Sequence, residues 1–180
     1  MDTVETKRIQ LRLATNSDLE AIHILLSSPE VDKYNTLGIP SNLEETKSII
    51  EPLIASNNQN KISNYTFSIE KKSNNQFLGL FGLKLWEPKH KRGEVWYKIL
   101  PNEWNKGYAT ETLNAVLDFG FNKRHLHRIQ AGCAVENSAS IKVLEKVGMT
   151  REGRGRQVLP LKSGWSDNFE YSIFESDVRP

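Results

Sequence analysis

The sequence has little of several features that would define a class of protein at once. It contains a single cysteine, Cys133, so no disulfide can form within the chain, which is typical of a reducing compartment. Its apolar runs are only a few residues long, whereas a membrane-spanning helix needs about 20 such residues. The start Met-Asp-Thr-Val-Glu-Thr has no apolar signal segment. We therefore expect a soluble, cytoplasmic protein with no membrane partner.

An excess of charge of one sign is also missing. The chain has 24 basic and 22 acidic side chains, for a formal net charge of +2. A nucleic-acid partner usually requires a broad basic surface, so we predict no direct nucleic-acid binding. Basic clusters exist only locally, at residues 89–92 and 151–156. The four histidines lack the spacing of metal ligands, and no metal site is predicted.

The length of 180 residues suits one hydrophobic core, because a chain of this size buries roughly 70% of its unfolded surface. No linker or repeat divides it, and we expect a single domain over residues 1–180. The front half predicts one strand, two helices and three antiparallel strands, with Pro52 ending or bending the second helix. These elements are the strand Arg8–Leu13, helices that begin at Asn16 or Ser17 and at the capping box of Ser41 and Glu44, and the strands Tyr65–Glu70, Phe77–Trp86 and Glu94–Leu100.

The back half predicts helices and strands that alternate after Pro101. Gly148 is a typical left-handed C-terminal cap for the second helix of this half. The two halves together predict an α+β or α/β fold with a mixed sheet. The back-half elements are a helix containing Leu113–Phe121, the strand Arg128–Val135, the helix Ser138–Val147, and a hairpin of Arg156–Leu161 with Asn168–Phe174.

The loop at residues 101–111, between a strand and a helix, has the composition of a phosphate site. Gly107 and the small Ala109 let the backbone approach a ligand closely, and the first N–H groups of the helix attract anions. The alternative is a turn with no ligand. The chain has no Walker motif and no Gly-x-Gly-x-x-Gly, which argues against a P-loop or a dinucleotide fold.

Four ordered segments of the chain match the motifs of one enzyme family. They are Glu94–Pro101, Trp104–Glu111, Val135–Ser140 and Val143–Met149. They resemble the GNAT N-acetyltransferases, and they are most similar to the branch of the ribosomal-protein N-terminal alanine and serine acetyltransferases. The resemblance implies a GNAT-like acyl-CoA N-acyltransferase fold of the α+β class. Such a fold has a central mixed, mostly antiparallel sheet, a splayed strand pair at the cofactor site, and flanking helices.

The same resemblance implies acetyl-CoA as the donor and assigns residues to it. In the family, the splayed strand that matches Ile99–Pro101 offers backbone groups to the pantetheine arm. We expect the developing oxyanion to be stabilised by a backbone N–H near Ile99 or Leu100. Trp104 stands where the superfamily often has Gln or Arg, so that side-chain contact is not carried over. The remaining cofactor-binding residues that the resemblance implies are Asn105, Lys106, Gly107, Tyr108, Ala109, Thr110, Asn137 and Ser140.

Acetyl transfer to an amine needs a base for the amine and a proton for the departing sulfur. The resemblance makes Glu94 the candidate base, and its alternative is an exposed strand carboxylate. Ser140 matches a serine that assists the leaving thiolate in the N-terminal branch; alternatively, it only bonds to the backbone. Many superfamily members use a tyrosine near this place, and the following helix has none. Cys133 is expected in the core.

The acceptor amine stays open between two main alternatives. A protein N-terminal α-amine is the leading prediction, because its pKa of about 7.7–8 leaves much of it neutral at physiological pH. The alternatives are a small amine such as a polyamine, an amino sugar or an amino acid, or a module that binds acyl-CoA without catalysis. Trp96, Trp165 and Asp167 are candidate substrate contacts, with packing or structural roles as alternatives. The sequence leaves a monomer and a homodimer equally open.

Overall fold

The computed structural model describes residues 3–180 and shows one eight-stranded sheet. Residues 1 and 2 lie outside the described residues. They belong to the N-terminal segment in which the sequence predicts no signal peptide. The strands are β1 (Val4–Glu5), β2 (Ile9–Leu13), β3 (Asn64–Lys71), β4 (Phe77–Leu85), β5 (Arg92–Ile99), β6 (Arg128–Ala134), β7 (Thr150–Leu161) and β8 (Gly164–Phe174). Across the sheet their order is β1-β2-β3-β4-β5-β6-β8-β7.

Six of the seven neighbouring strand pairs are antiparallel, and β5 and β6 are parallel. The parallel pairing runs only from Arg92 with Arg128 to Glu94 with Gln130. Beyond Glu94 the two strands separate and leave an opening inside the sheet. The predicted mixed, mostly antiparallel sheet is therefore confirmed.

Helices cover both faces of the sheet. On one face Val116 and Leu144 belong to the main core, and on the other Leu25 and Ile54 pack around Leu80. None of the helices in residues 3–180 is long and apolar enough to cross a bilayer. The helices are α1 (Leu19–Leu26), α2 (Pro29–Asp32), α3 (Leu43–Asn57), α4 (Tyr108–Asp118) with a π-helical turn at Phe119–Lys123, and α5 (Ser138–Lys146).

The first two helix starts differ from the predicted caps. Asn16 and Ser17 lie inside a short 3-10 turn, and the cap contact is made by Asp18, which accepts a hydrogen bond from the Thr15 N–H at 2.8 Å. At α3 the cap is Asn42, whose Oδ1 accepts from a backbone N–H one turn later at 2.9 Å. Both sites offer several adjacent polar residues, and local preference alone does not choose among them.

The second predicted helix corresponds to α3. The prediction that Pro52 ends this helix is wrong, because α3 continues to Asn57. Proline removes one helical N–H donor, but contacts at the end of the helix compensate. The Asn57 amide donates to the backbone carbonyls of Ala14 and Thr66 at 3.1 and 2.8 Å, and accepts from the Thr66 N–H at 3.0 Å. These buried bonds attach the helix end to the sheet.

The closing hairpin is longer than predicted. Its first strand, β7, begins at Thr150 rather than Arg156. Irregular pairing with β8 between Arg151 and Gly153, and again between Gly155 and Leu159, interrupts the alternation that identifies a strand in sequence.

Candidate active site

The opening between β5 and β6 leaves backbone groups without a strand partner. The N–H of Leu100 donates to the Leu78 carbonyl at 2.8 Å, so Leu100 and alternate residues before it are bonded toward β4. By the same alternation the N–H groups of Tyr97 and Ile99 point away from β4, into the opening. The Leu100 N–H is therefore excluded as an oxyanion donor, and the Ile99 N–H remains the candidate.

Trp104 fixes the end of this strand to the following loop. Its indole Nε1 donates a hydrogen bond of 2.7 Å to the Ile99 carbonyl. The carbonyl of Ile99 is thus already bonded within the protein, while its N–H faces the opening. Trp104, at the position where the superfamily often has Gln or Arg, therefore has a structural role in this chain.

The loop after β5 ends in a helix N-terminus with free donors. Asn105 and Gly107 have φ values of 60° and 81°, in the left-handed region, and α4 then begins at Tyr108 without a side-chain cap. Within residues 3–180, the N–H groups of residues 108–110 have no hydrogen-bond acceptor. Such N–H groups at the positive end of an eleven-residue helix are suited to bind phosphate.

A buried carboxylate orders this loop. Glu103 is 4% exposed, and its two oxygens accept hydrogen bonds from Lys71 Nζ at 3.1 Å and Lys106 Nζ at 3.0 Å. Burial acts to raise the pKa of Glu103, but the bonds from Lys106 and Lys71 outweigh it and hold the pKa below its usual value. Lys106, predicted to bind the cofactor, thus has an ion-pair partner in the same loop.

Arg8 supports the loop from the edge of the sheet and was not predicted as a site residue. Its guanidinium donates to the Lys106 carbonyl at 3.0 Å and to Glu111 at 2.6 Å, and it lies 4.7 Å from the ring centre of Tyr108. A Cβ added to Gly107 would lie 3.3 Å from the same guanidinium. Arg8 therefore holds the loop beside the free N–H groups, with its charge paired with Glu111.

Tyr97 and Ser140 meet on the other side of the opening. The Tyr97 hydroxyl lies 2.9 Å from Ser140 Oγ, while the Ser140 N–H donates to Asn137 Oδ1 at 3.1 Å. Asn137 thus caps α5, and the Ser140 side chain is not confined to backbone contacts. Burial raises the pKa of Tyr97, and its hydroxyl stays protonated at physiological pH.

Cys133 lies near this pair and is buried, as predicted. Burial raises the pKa of its thiol to about 11, although Ser140 acts in the opposite direction by a hydrogen bond. A neutral thiol is a poor nucleophile, so this environment is unlike that of a catalytic cysteine.

Glu94 and Trp96 lie on β5 where the strands begin to separate. Glu94 is half-buried and is the last residue of β5 that pairs with β6. Trp96 faces the side of the sheet that carries α1 and α3, and Gly82 makes room for it, since a Cβ there would lie 2.0 Å from the indole nitrogen. The position of Glu94 suits a base at the opening, and this role stays a prediction.

Asp167 and Trp165 lie on the closing hairpin. Asp167 accepts hydrogen bonds from Arg154 Nε at 2.6 Å and from the Gln157 N–H at 2.8 Å, and these bonds, the second one most, lower the pKa of its carboxyl. Both oxygens are therefore engaged in holding the irregular hairpin, which favours the structural role. Trp165 is 67% exposed and free to contact an acceptor.

The fold, the opened strand pair and the anion-binding loop together are those of an acyl-CoA-dependent transferase. The family model described as "Acetyltransferase (GNAT) domain" matches residues 8–150, which include the opened strand pair and the anion-binding loop. The chain belongs to the GNAT acetyltransferase family. It is an N-acetyltransferase that uses acetyl-CoA, the cosubstrate of this family.

Similar proteins extend over nearly the whole chain. The uncharacterized N-acetyltransferase YoaA of Bacillus subtilis is 32% identical over 170 residues, which cover 94% of this chain and 95% of YoaA. The crystal structure of a GNAT-family acetyltransferase from Bacillus anthracis superimposes with a TM-score of 0.85 at 30% identity, covering 97% of this chain and 99% of that one.

Other similar proteins act on different amines. The spermidine N(1)-acetyltransferase of Vibrio cholerae is 27% identical over 146 residues, 81% of each chain. RimL, a ribosomal L7/L12 α-N-protein acetyltransferase in complex with coenzyme A, has a TM-score of 0.86 at 20% identity, covering 96% of this chain and 98% of RimL. Family membership therefore establishes acetyl transfer and does not choose the acceptor.

Proposed function

We propose that the acceptor is the α-amine of a protein N-terminus. The observation that carries the proposal is an open cleft of about 490 Å³ between α2 and the turn of the β7–β8 hairpin, lined in part by Ile39, which is 38% exposed. Leu37, two residues from Ile39, and Trp165, two residues from the lining residue Ser163, are 56% and 67% exposed. Such side chains suit a peptide that continues beyond its first residue, whereas a small amine would leave them in water.

The charge of the cleft disfavours a polyamine. Lys33 and Lys162 line it together with Glu30 and Asp32. Lys98, close enough for Asp32 to act on its charge, adds a third cation against the two carboxylates. An acceptor with several ammonium groups would be repelled here more strongly than one with a single amine.

Acid–base chemistry also supports an α-amine. Its pKa of about 7.7–8 lies about 2.5 units below that of a lysine side chain, which corresponds to roughly 3.5 kcal/mol in the cost of forming the neutral nucleophile. A half-buried carboxylate such as Glu94 is then a sufficient base.

The residues of the opening fit the cosubstrate. When bound, acetyl-CoA supplies the acetyl group as a thioester and leaves as the free thiol. The N–H groups of residues 105–110 would bind its pyrophosphate, because Gly107 has no side chain to fill the space and no capping side chain occupies the donors. Asn137 holds the start of α5 in place beside the opening.

Each remaining step of the acetyl transfer is assigned to one of the groups that face the opening. The Ile99 N–H donates to the acetyl oxygen, on which negative charge develops. Glu94 takes the proton of the amine. Ser140 gives a proton to the departing sulfur. The Tyr97 hydroxyl lies 2.9 Å from Ser140 Oγ, and in this step it would act as the donor, so that the serine proton is directed to the sulfur.

We also propose a cytoplasmic location, which the single cysteine predicts.

A coupled free-thiol assay tests the acceptor. We expect hexapeptides with free N-terminal Ala or Ser to be acetylated with a kcat/KM at least 10-fold above that of spermidine, an amino sugar or a free amino acid. The same peptides with a blocked N-terminus, but an internal lysine, are the matched control and should give no thiol release above background.

Turnover restricted to small amines would reject the N-terminal proposal and leave acetyl transfer intact. In that case the second candidate, acetylation of a small amine, would replace it. Its support is the 27% identity to a spermidine acetyltransferase.

A further inference from the structure

Asp32 is a buried carboxylate that the fold does not use. Its side chain is 5% exposed, and Oδ1 is enclosed without a hydrogen-bond partner among residues 3–180. Buried carboxylates are normally paired, because an isolated charge in the interior is costly. The local turn does not need this side chain, since the backbone N–H of Asp32 donates to Ser28 and its carbonyl accepts from Asn35.

The same carboxylate lines the cleft between α2 and the β7–β8 turn. A buried carboxylate that has an oxygen without a partner, and that lies in the wall of an open cleft, is expected at a functional site.

Lys98 is the charged neighbour of Asp32 and extends from β5, one residue before the candidate oxyanion donor Ile99. In the described part of the chain the two side chains form no ion pair, and Lys98 has no hydrogen-bond acceptor; its ammonium lies 5.9 Å from the ring centre of Trp96. Burial lowers the pKa of Lys98 to about 8, and the Asp32 charge opposes this shift. Val31, next to Asp32, packs against the same core cluster as Trp96 and Leu100, which lie two residues on either side of Lys98. The carboxylate and the ammonium therefore lie in the same region of the molecule without forming an ion pair within residues 3–180.

We propose that Asp32 binds the reacting amine of the acceptor, and that Lys98 restricts the acceptor to one positive charge. The Asp32 carboxylate pairs with the ammonium on arrival, and it accepts a hydrogen bond from the neutral amine after the proton has left. Lys98 balances Asp32, so a second ammonium on the acceptor meets repulsion rather than a partner. The inference deepens the proposed function and rests on acetyl transfer, but it applies to any acceptor with a single amine.

Asp32→Asn tests the binding role. With the best single-amine substrate of the wild-type protein, either a hexapeptide with free N-terminal Ala or a small mono-amine, we expect KM to rise at least 10-fold. We expect kcat to change less than 3-fold and the calorimetric Kd for acetyl-CoA to stay within 2-fold. Tm should be unchanged or higher, because the substitution removes an unpaired buried charge; a merely structural role would lower it.

Glu20→Gln is the control for this variant, because it also removes one carboxylate charge. Glu20 lies on α1, is exposed, and does not line the cleft. Its KM should stay within 2-fold of wild type. An Asp32→Asn KM no different from that of Glu20→Gln would overturn the binding role.

Lys98→Gln tests whether Lys98 limits the charge of the acceptor. The quantity measured is the ratio of kcat/KM for two substrates, because any effect on turnover that is common to both cancels. We expect kcat/KM for spermidine, relative to the single-amine substrate, to rise at least 10-fold. An unchanged ratio in a variant that keeps its Tm and its affinity for acetyl-CoA would overturn the role of Lys98. If the wild-type protein prefers a small mono-amine, the N-terminal proposal is rejected. The role of Asp32 can still be tested with that amine as the substrate.

Discussion

Ser140 bonds to a tyrosine that comes from a different part of the chain. Helix α5, which contains Ser140, has no tyrosine, whereas Tyr97 lies 43 residues earlier, on β5. Tyr97 lies two residues from both Val95 and Ile99, on the same face of the strand, so the sequence predicts a core residue. It does pack against the core. Its second contact becomes visible only when β5 and α5 are placed beside each other.

Tyr97→Phe is expected to lower kcat about 10- to 100-fold, because the variant loses the hydroxyl that orients the proton of Ser140. The Kd for acetyl-CoA should stay within about 3-fold. Ser140→Ala should have a similar effect, and the double variant should lose little more, since the two hydroxyls act as a unit. Steady-state kinetics and calorimetry provide these values.

Tyr171→Phe is the control for this pair. Tyr171 is also buried, and its hydroxyl donates to Glu145 at 3.1 Å rather than to Ser140. Its kcat should match wild type. A Tyr97→Phe variant that turns over as fast as Tyr171→Phe would limit Tyr97 to packing.

At the scale of elements, the phosphate-binding loop was predictable in position but not in its support. A strand, a glycine-containing turn and a helical pattern follow one another locally, and the sequence shows all three. The residues that hold the loop are distant: Arg8 bonds to it across 98 residues and Lys71 across 32. Such contacts depend on which strands are neighbours, and no local pattern records that.

Gly107→Val is expected to weaken acetyl-CoA binding at least 10-fold by calorimetry. A β-branched residue strongly disfavours a φ of 81°, and the new side chain would occupy the space between the free N–H groups and Arg8. Gly38→Val is the matched control, because Gly38 has a φ of 77° and no neighbouring atom within 4 Å. It should cost stability without changing the Kd; equal effects of both variants on the Kd would contradict the loop assignment.

At the scale of the whole molecule, an antiparallel group of strands, β1–β5, meets a second group, β6–β8, through a single short parallel pairing of three residue pairs. The order of elements along the chain predicted the mixed sheet. The point of separation was not predictable from periodicity, because β5 continues its alternation through Ile99 after pairing with β6 has ended. It followed only from the resemblance to a family.

Acetyl-CoA that contacts both groups of strands should stabilise the whole chain. At a concentration of 100 times Kd, binding to the folded state alone adds about 2.7 kcal/mol to the free energy of unfolding. For a chain of this size we expect a rise in Tm of roughly 5–10 °C, measured by thermal unfolding. Gly107→Val should lose most of this rise, and an equal rise in wild type and variant would indicate binding elsewhere.

The separation of β5 from β6 gives the sheet an additional edge, located in its interior. Exposed strand edges invite other chains to add a strand, and most proteins blunt them with charges, prolines or bulges. Here the N–H groups of Tyr97 and Ile99 lie between two strands of the same sheet, since β5 and β6 pair up to Glu94, and α5 contacts β5 through Ser140 and Tyr97. The unpaired strand donors are thus in the interior of the sheet rather than at its outer edge, where another chain would most readily add a strand.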